Sequence, residues 1–184
     1  MISGEGRPED ARERFERVTR TLYEPLQRFA RRRTTGEVVD DVVAETLLVL
    51  WRRLDEVVEG DELAWCYGVA RRVLANHHRS AARARRLVDR LSSATSASAA
   101  VDATGRDGDE VRTALATLSS KDRQVLMLWA WEGLEPRDIA VVLDVSPNAA
   151  AIRLHRSKQR LRRQLDRRKS WSDAGQPTVG HPEN

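Results

Sequence analysis

Cysteine is almost missing from this sequence. Cys66 is the only one in 184 residues, which excludes a disulfide framework and a cysteine-built metal cluster. Long apolar runs are missing too, since no stretch approaches the roughly 20 residues that a membrane span requires. Residues 1–11 are polar and lack the apolar core of a signal peptide, so the expectation is a cytoplasmic protein without membrane insertion. Aromatics are scarce at 5% and the apolar fraction is low at 40%, which points to small helical cores rather than one large one. Strand periodicity is lacking, and with it the scaffold for a phosphate-cradling glycine loop or a Gly-x-Ser-x-Gly nucleophile. His77 and His78 are adjacent instead of four apart, with no third ligand at metal-site spacing. Ser119-Ser120 reads better as a helix cap than as a nucleophile. The expectation is no catalytic residue, no metal, no cofactor and no small-molecule substrate.

Charge, by contrast, is abundant at 33%, and the net +4 conceals a strong segregation. Residues 37–62 hold nine acidic residues against Arg52 and Arg53. Residues 63–90 hold seven arginines against Asp89, and residues 153–169 hold nine bases against Asp166. Two basic blocks suit nucleic-acid phosphate, and the acidic block suits a different partner.

Residues 118–163 are the most informative stretch. Ser119 can cap a helix in which Asp122 lies near the positive end, and Val125-Leu126-Met127-Leu128-Trp129 forms its apolar body. Gly133 can take the left-handed conformation that closes it. Pro136 opens a second helix, residues 137–143, where small Ala140 permits close approach. Asp144-Val145-Ser146 makes a corner, and Ser146 caps a third helix opened by Pro147 and running to about residue 165. Ala150, Leu154, Ser157 and Leu161 form its narrow inner stripe, while Arg153, Arg156, Lys158, Arg160, Arg162 and Arg163 cover the rest. A cationic helix alone is also what a solvated face looks like; the turn chemistry before it favours a helix-turn-helix entering a DNA major groove.

Upstream, residues 1–12 read as disordered. Helical spacing starts near Phe15 and continues through Val18, Leu22, Leu26, Phe29 and Ala30, with a kink or restart expected at Pro25. The next helix, residues 38–57, carries Val39, Val43, Thr46, Leu47, Leu50 and Leu54 on one face and Asp41, Glu45, Leu48 and Arg52 opposite. Leu48 and Trp51 either complete the core or meet a second protein. A helix over residues 63–86 has Trp65, Val69, Val73 and Leu74 on its apolar side. Its other side shows Arg71, Arg72, Asn76, His77, Arg79, Arg83, Arg85 and Arg86. Trp65 and Tyr67 beside arginines suit melted nucleic acid, where exposed bases stack on rings, and both are equally readable as core.

Residues 92–109 have the Ser-, Ala-, Gly- and Asp-rich composition of a flexible linker. Fully extended, this stretch reaches roughly 60 Å at about 3.3 Å per residue, or roughly 18 base pairs of duplex at a rise of about 3.4 Å. The expected architecture is all-α: two small helical domains, residues 13–91 and 110–169, joined by the linker and followed by a loose tail, 170–184, containing Trp171.

Three segments in this order carry a family resemblance. Asp40-Asp41-Val42-Val43-Ala44-Glu45-Thr46-Leu47-Leu48-Val49-Leu50-Trp51 resembles the polymerase-binding segment of bacterial sigma factors. Ala64-Trp65-Cys66-Tyr67-Gly68-Val69-Ala70-Arg71 resembles the start of their promoter-melting segment, and residues 118–161, with Arg153-Leu154-His155-Arg156, their C-terminal helix-turn-helix. With two modules and little between them, the chain is similar to the extracytoplasmic-function (group IV) class. The resemblance implies core RNA polymerase and promoter DNA as partners, with an anti-sigma factor a frequent further one. It implies that Asp41, Glu45, Leu48 and Arg52 dock on polymerase. It assigns Trp65, Tyr67, Arg71, Arg72, Asn76, Arg79 and Arg83 to the minus-ten element. Asn148, Ala149, Ala151, Ile152, Arg153, Arg156 and Lys158 fall to the minus-thirty-five element. Three positions depart from the family pattern: Ala44 where Gln is common, Arg72 where Asn is common, and Asp144 in place of a turn glycine. The alternative is a stand-alone regulator with a similar helix-turn-helix. That would need an N-terminal sensing module, usually of alternating strands and helices, and residues 1–90 read as helices only.

Overall fold

Apolar residues three and four apart recur along the chain, and α-helices are what they form. A computed structural model describes the backbone of residues 8–91 and 106–174, and the side chains of residues 11–86, 111 and 113–167. Among these residues there are seven helices and no strand: α1 (Pro8–Arg31), α2 (Val38–Arg52), α3 (Glu62–Leu91), α4 (Arg106–Thr117), α5 (Ser120–Ala130), α6 (Pro136–Leu143) and α7 (Pro147–Ala174). A single 3-10 turn, Leu54–Glu56, separates α2 from α3.

The first three helices pack as one bundle. Val18, Leu22, Leu26 and Phe29 of α1 meet Val39, Val42, Val43 and Leu50 of α2 and Tyr67, Ala70, Val73 and Leu74 of α3, all buried. Thr46 is also fully buried, and its hydroxyl donates to the Val42 carbonyl at 2.7 Å, so the polar atom is satisfied inside the helix. The Phe29 and Tyr67 rings stack with centroids 4.6 Å apart. Arg14 reaches across to donate to the carbonyls of Leu54 (3.0 Å) and Val57 (2.8 Å), which fixes the turn before α3.

Several boundaries differ from the sequence expectation. The helix α1 starts at Pro8, a residue suited to a first helical turn, so the polar start is shorter than 1–12. It also runs through Pro25 without a restart. The helix α2 stops at Arg52, because Arg53 leaves helical geometry at φ −127° and Leu54 and Val57 then turn inward. The linker expectation falls mostly on residues 92–105, which lie outside the described residues, while 106–109 already belong to α4. The tail expected from residue 170 is helical as far as Ala174.

The last four helices form the second bundle, and its turn chemistry is as the sequence indicates. The Ser119 side chain accepts from the Asp122 amide at 3.1 Å, and Gly133 has φ +68°. Pro136 opens α6, Asp144 closes it at φ 56° and ψ 55°, and the Ser146 hydroxyl accepts from the Ala149 amide at 3.2 Å. Arg123 donates to the carbonyls of Leu115, Ala116 and Leu118, satisfying the end of α4. The inner stripe of α7 is Ala150, Leu154 and Ser157, all buried, with Leu161 partly so.

The two bundles pack against each other through α3 and α6. Gly68 is where they come closest: a Cβ there would lie 3.4 Å from the Val142 carbonyl oxygen. Glu132 reaches back to Arg32 and Arg33 at the end of α1, and Arg137 of α6 pairs with Asp61 at 3.2 Å.

Candidate nucleic-acid interface

Opposite its buried stripe, α7 turns Asn148, Ile152 and Arg156 to solvent; they recur four apart on one face. Ile152 is 44% exposed, unusual for an isoleucine with no structural duty and suited to an apolar base edge such as a thymine methyl. Ala149, Ala151 and Arg153 flank this face and are half-buried. Lys158 sits on the α5 side, its ammonium 3.5 Å from the centroid of the Trp129 ring. His155 and Gln159 share the outward face and stand 3.0 Å apart, nitrogen to nitrogen. Sequence reading did not single out these two, although their spacing from Ile152 and Arg156 was the available signal.

The orientation of α7 rests on an acid at the start of α5. Asp122, 5% exposed, accepts from the Ser157 hydroxyl at 2.7 Å and from Arg160 Nη1 at 2.7 and 2.8 Å. Burial alone would push its carboxyl up, but hydrogen bonds from Ser119, Ser157 and Arg160 outweigh burial and hold it below the usual aspartate value. Arg160 is thus a clamp on α5 and less free for phosphate than its neighbours.

In the first bundle, Trp65, Arg72, Asn76, Arg79 and Arg83 recur three, four and seven apart along α3, in one stripe. The four polar members are exposed, and Asn76 accepts from Arg79. Trp65 is half-buried, with the Arg53 guanidinium 5.9 Å from its ring. Tyr67 is a correction to the sequence expectation: it is 3% exposed and stacked on Phe29, so its ring is not presented to a base. Burial, with the Glu132 charge, pushes its hydroxyl up to about 12. Arg71 points away from the stripe toward the second bundle and is half-buried. Burial lowers its pKa, assisted by Arg72 and opposed by Asp144.

The acidic helix has a separate exposed face. Asp41, Glu45, Leu48 and Arg52 are all exposed, as is Ala44. Leu48 and Trp51 are each 48% exposed, so neither is absorbed by the core, although Trp51 makes an edge contact with Phe15 at 5.0 Å. Glu45 lies 3.0 Å from His77 of α3, tying this face to the cationic helix. Cys66 is fully buried, and burial pushes its thiol up to about 12, which leaves it unreactive. Among the described residues, no group of three or more His, Cys, Asp or Glu is placed to hold a metal, and no helix is long and apolar enough to cross a membrane.

Comparison with known proteins divides the chain along the same lines. A family profile described as Sigma-70 region 2 matches residues 18–84, and one described as Sigma-70, region 4 matches residues 108–161. The RNA polymerase sigma-E factor of Streptomyces coelicolor is 31% identical over 153 residues, covering 82% of this chain and 85% of that protein. Its counterpart in Streptomyces avermitilis is 30% identical over 157 residues, covering 84% and 86%. Among solved structures, the sigma factor RpoE in complex with the anti-sigma factor NepR from Bartonella quintana shares the fold. It has a TM-score of 0.62 at 21% identity, over 84% of this chain and 98% of that one.

Proposed function

We propose, for a chain that belongs to the sigma-70 family of RNA polymerase sigma factors and to its extracytoplasmic-function class, that it binds core RNA polymerase, directs it to specific promoters and helps to open them. It acts in the cytoplasm as an initiation factor and not as an enzyme. The observation that carries this reading is the pairing of regions 2 and 4, in order, with three separate exposed faces: acidic on α2, cationic on α3 and cationic on α7.

In this reading α2 docks on polymerase through Asp41, Glu45, Leu48 and Arg52, with Trp51 adding apolar area beside Leu48. The acidic charge repels DNA and so keeps this face free for protein. The α3 stripe (Trp65, Arg72, Asn76, Arg79 and Arg83) lies along the minus-ten element, where arginines hold phosphate and Trp65 offers a ring to an unstacked base. The outward face of α7 enters the major groove of the minus-thirty-five element. There Asn148 and Ile152 meet base edges, with His155 and Gln159 beside them, and Arg156 is placed for guanine or phosphate. Arg153 and Lys158 flank the groove contact. The related RpoE structure contains an anti-sigma factor, which supports a partner of that kind here.

Run-off transcription with core polymerase on a library of genomic fragments tests the proposal. The protein should create start sites that core alone does not use. Unchanged start sites would refute it, and specific footprints without core would favour a stand-alone regulator.

A further inference from the structure

The contact between the two bundles is built unlike either core. At its centre is Glu132, whose side chain is only 2% exposed although it lies in the loop between α5 and α6. It binds Arg32 at 2.9 Å and Arg33 at 2.8 Å, both about a hundred residues away. Arg32 also donates to the Trp131 carbonyl at 2.9 Å. Arg33 donates to the Phe29 carbonyl at 2.8 Å and lies 3.5 Å over the Phe29 ring, which in turn stacks on Tyr67. At another point the exposed pair Arg137–Asp61 bridges the bundles, and between these ties the α6 backbone lies against Gly68.

Closure leaves polar atoms unsatisfied. Nη2 of Arg33 and Nε of Arg71 are buried without a hydrogen-bond partner, and water would supply one if the bundles parted. An interface of ion pairs and unsatisfied donors resembles a transient contact more than an obligate one.

Closure also limits what the chain can read. The helix α6 touches both α3 and α7. Two helix–helix spacings of about 8–10 Å put α3 and α7 within roughly 20 Å of each other there. The linker, by contrast, could let the bundles stand as much as roughly 60 Å apart.

We propose that this contact is a reversible ionic latch. Glu132 gripping Arg32 and Arg33 holds the free protein closed, with α3 and α7 too near each other to occupy two separated promoter elements, and the chain works only after the latch opens. The promoter consequence rests on the function proposed above; the closed state does not.

Two variants of the full-length chain separate these layers. Glu132→Gln keeps the shape and removes the charge. Gly68→Leu places a wedge against the α6 backbone while leaving the ion pairs in sequence intact. Small-angle scattering or energy transfer between dyes on the two bundles reads closure directly, with circular dichroism confirming retained helix. Both variants should show a larger inter-bundle distance than the parent protein, and added salt should enlarge the parent toward the same value. Affinity for a mixed-sequence duplex long enough for both bundles should rise about tenfold in the variants, as expected if about one tenth of the parent is open. A parent already as extended as the variants, or variants as closed as the parent, overturns the latch. Opening without any gain in duplex affinity sustains the latch as a structural contact but overturns its control of DNA binding. Opening with tighter DNA binding, but without new start sites when core polymerase is added, sustains the latch and overturns the proposed function.

Discussion

The two bundles reach stability by different routes. In the first, α2 begins at Glu37 with no side-chain cap, and its place is fixed by burying Val39, Val42, Val43, Thr46 and Leu50. In the second, α5 has 11 residues and α6 only 8, lengths at which an isolated helix is marginal. Their ends are accordingly closed by chemistry: Ser119 on α5, the reciprocal Glu135–Asp138 box on α6, and Asp144 in the left-handed region. Long helices can rely on a packed stripe, whereas short ones need their terminal amides and carbonyls satisfied. That need also places a buried acid, Asp122, where it can orient α7.

The largest test of this difference is Leu50→Ala, which empties a fully buried site in the first bundle and should cost about 3 kcal/mol. Trp51 and Trp65 report on that bundle and Trp129 and Trp131 on the other, so versions of the chain carrying only one pair can be unfolded in denaturant separately. A loss confined to the first pair supports two stability units. An equal loss at both means that the contact between the bundles makes them one.

In the second bundle, Asp122→Asn removes a charge that three groups hydrogen-bond, and it should cost about 2 kcal/mol. The same site sets a pH dependence. The folded carboxyl titrates below its unfolded value, so its contribution is complete above the usual aspartate range and is lost as pH falls through the lower, folded value. Acid titration should therefore weaken this bundle in the parent, and Asp122→Asn should lose that part of the acid dependence. A parallel acid profile in both proteins would show that Asp122 carries no linkage.

The same contrast decides what could be read from sequence. Ser119, Gly133, Pro136, Asp144, Ser146 and Pro147 were legible because each acts on its own few residues. The inner stripe of α7 was legible because Ala150, Leu154 and Ser157 keep one spacing; that Ser157 is buried to meet Asp122 was not, since that partner is 35 residues away. The end of α2 was misplaced for a like reason: the carbonyls after it are held by Arg14, 40 or more residues upstream. Tyr67 could not be assigned from spacing, because only the Phe29 ring settles which way it points. Glu132 gave no signal at all, being one acid in a loop until Arg32 and Arg33 are brought to it.

Within the proposed recognition face, Arg156→Ala should weaken binding to the upstream promoter element by about 2 kcal/mol if its guanidinium is bidentate to guanine. Lys158→Ala should cost less, about 0.5–1 kcal/mol, because its ammonium already rests on Trp129. Equal losses, read by fluorescence anisotropy on a mapped promoter, would remove the distinction between the centre of the face and its flank.

The smallest effect concerns Asp144, the non-glycine residue at positive φ. An L-residue in that region carries a steric cost that glycine lacks, while glycine makes the unfolded chain freer. The two oppose, and the strain relieved by Asp144→Gly should win by about 0.5 kcal/mol within the second bundle. The aspartate has a second effect, however, since its charge partly offsets the burial of Arg71 across the contact between bundles. Removing it should leave Arg71 less compensated and favour opening. The substitution is therefore expected to raise the denaturation midpoint reported by Trp129 and Trp131 while increasing the inter-bundle distance. A gain in stability without opening would mean that Asp144 is only a turn residue, and a loss of stability would mean that it fits the left-handed corner better than glycine does.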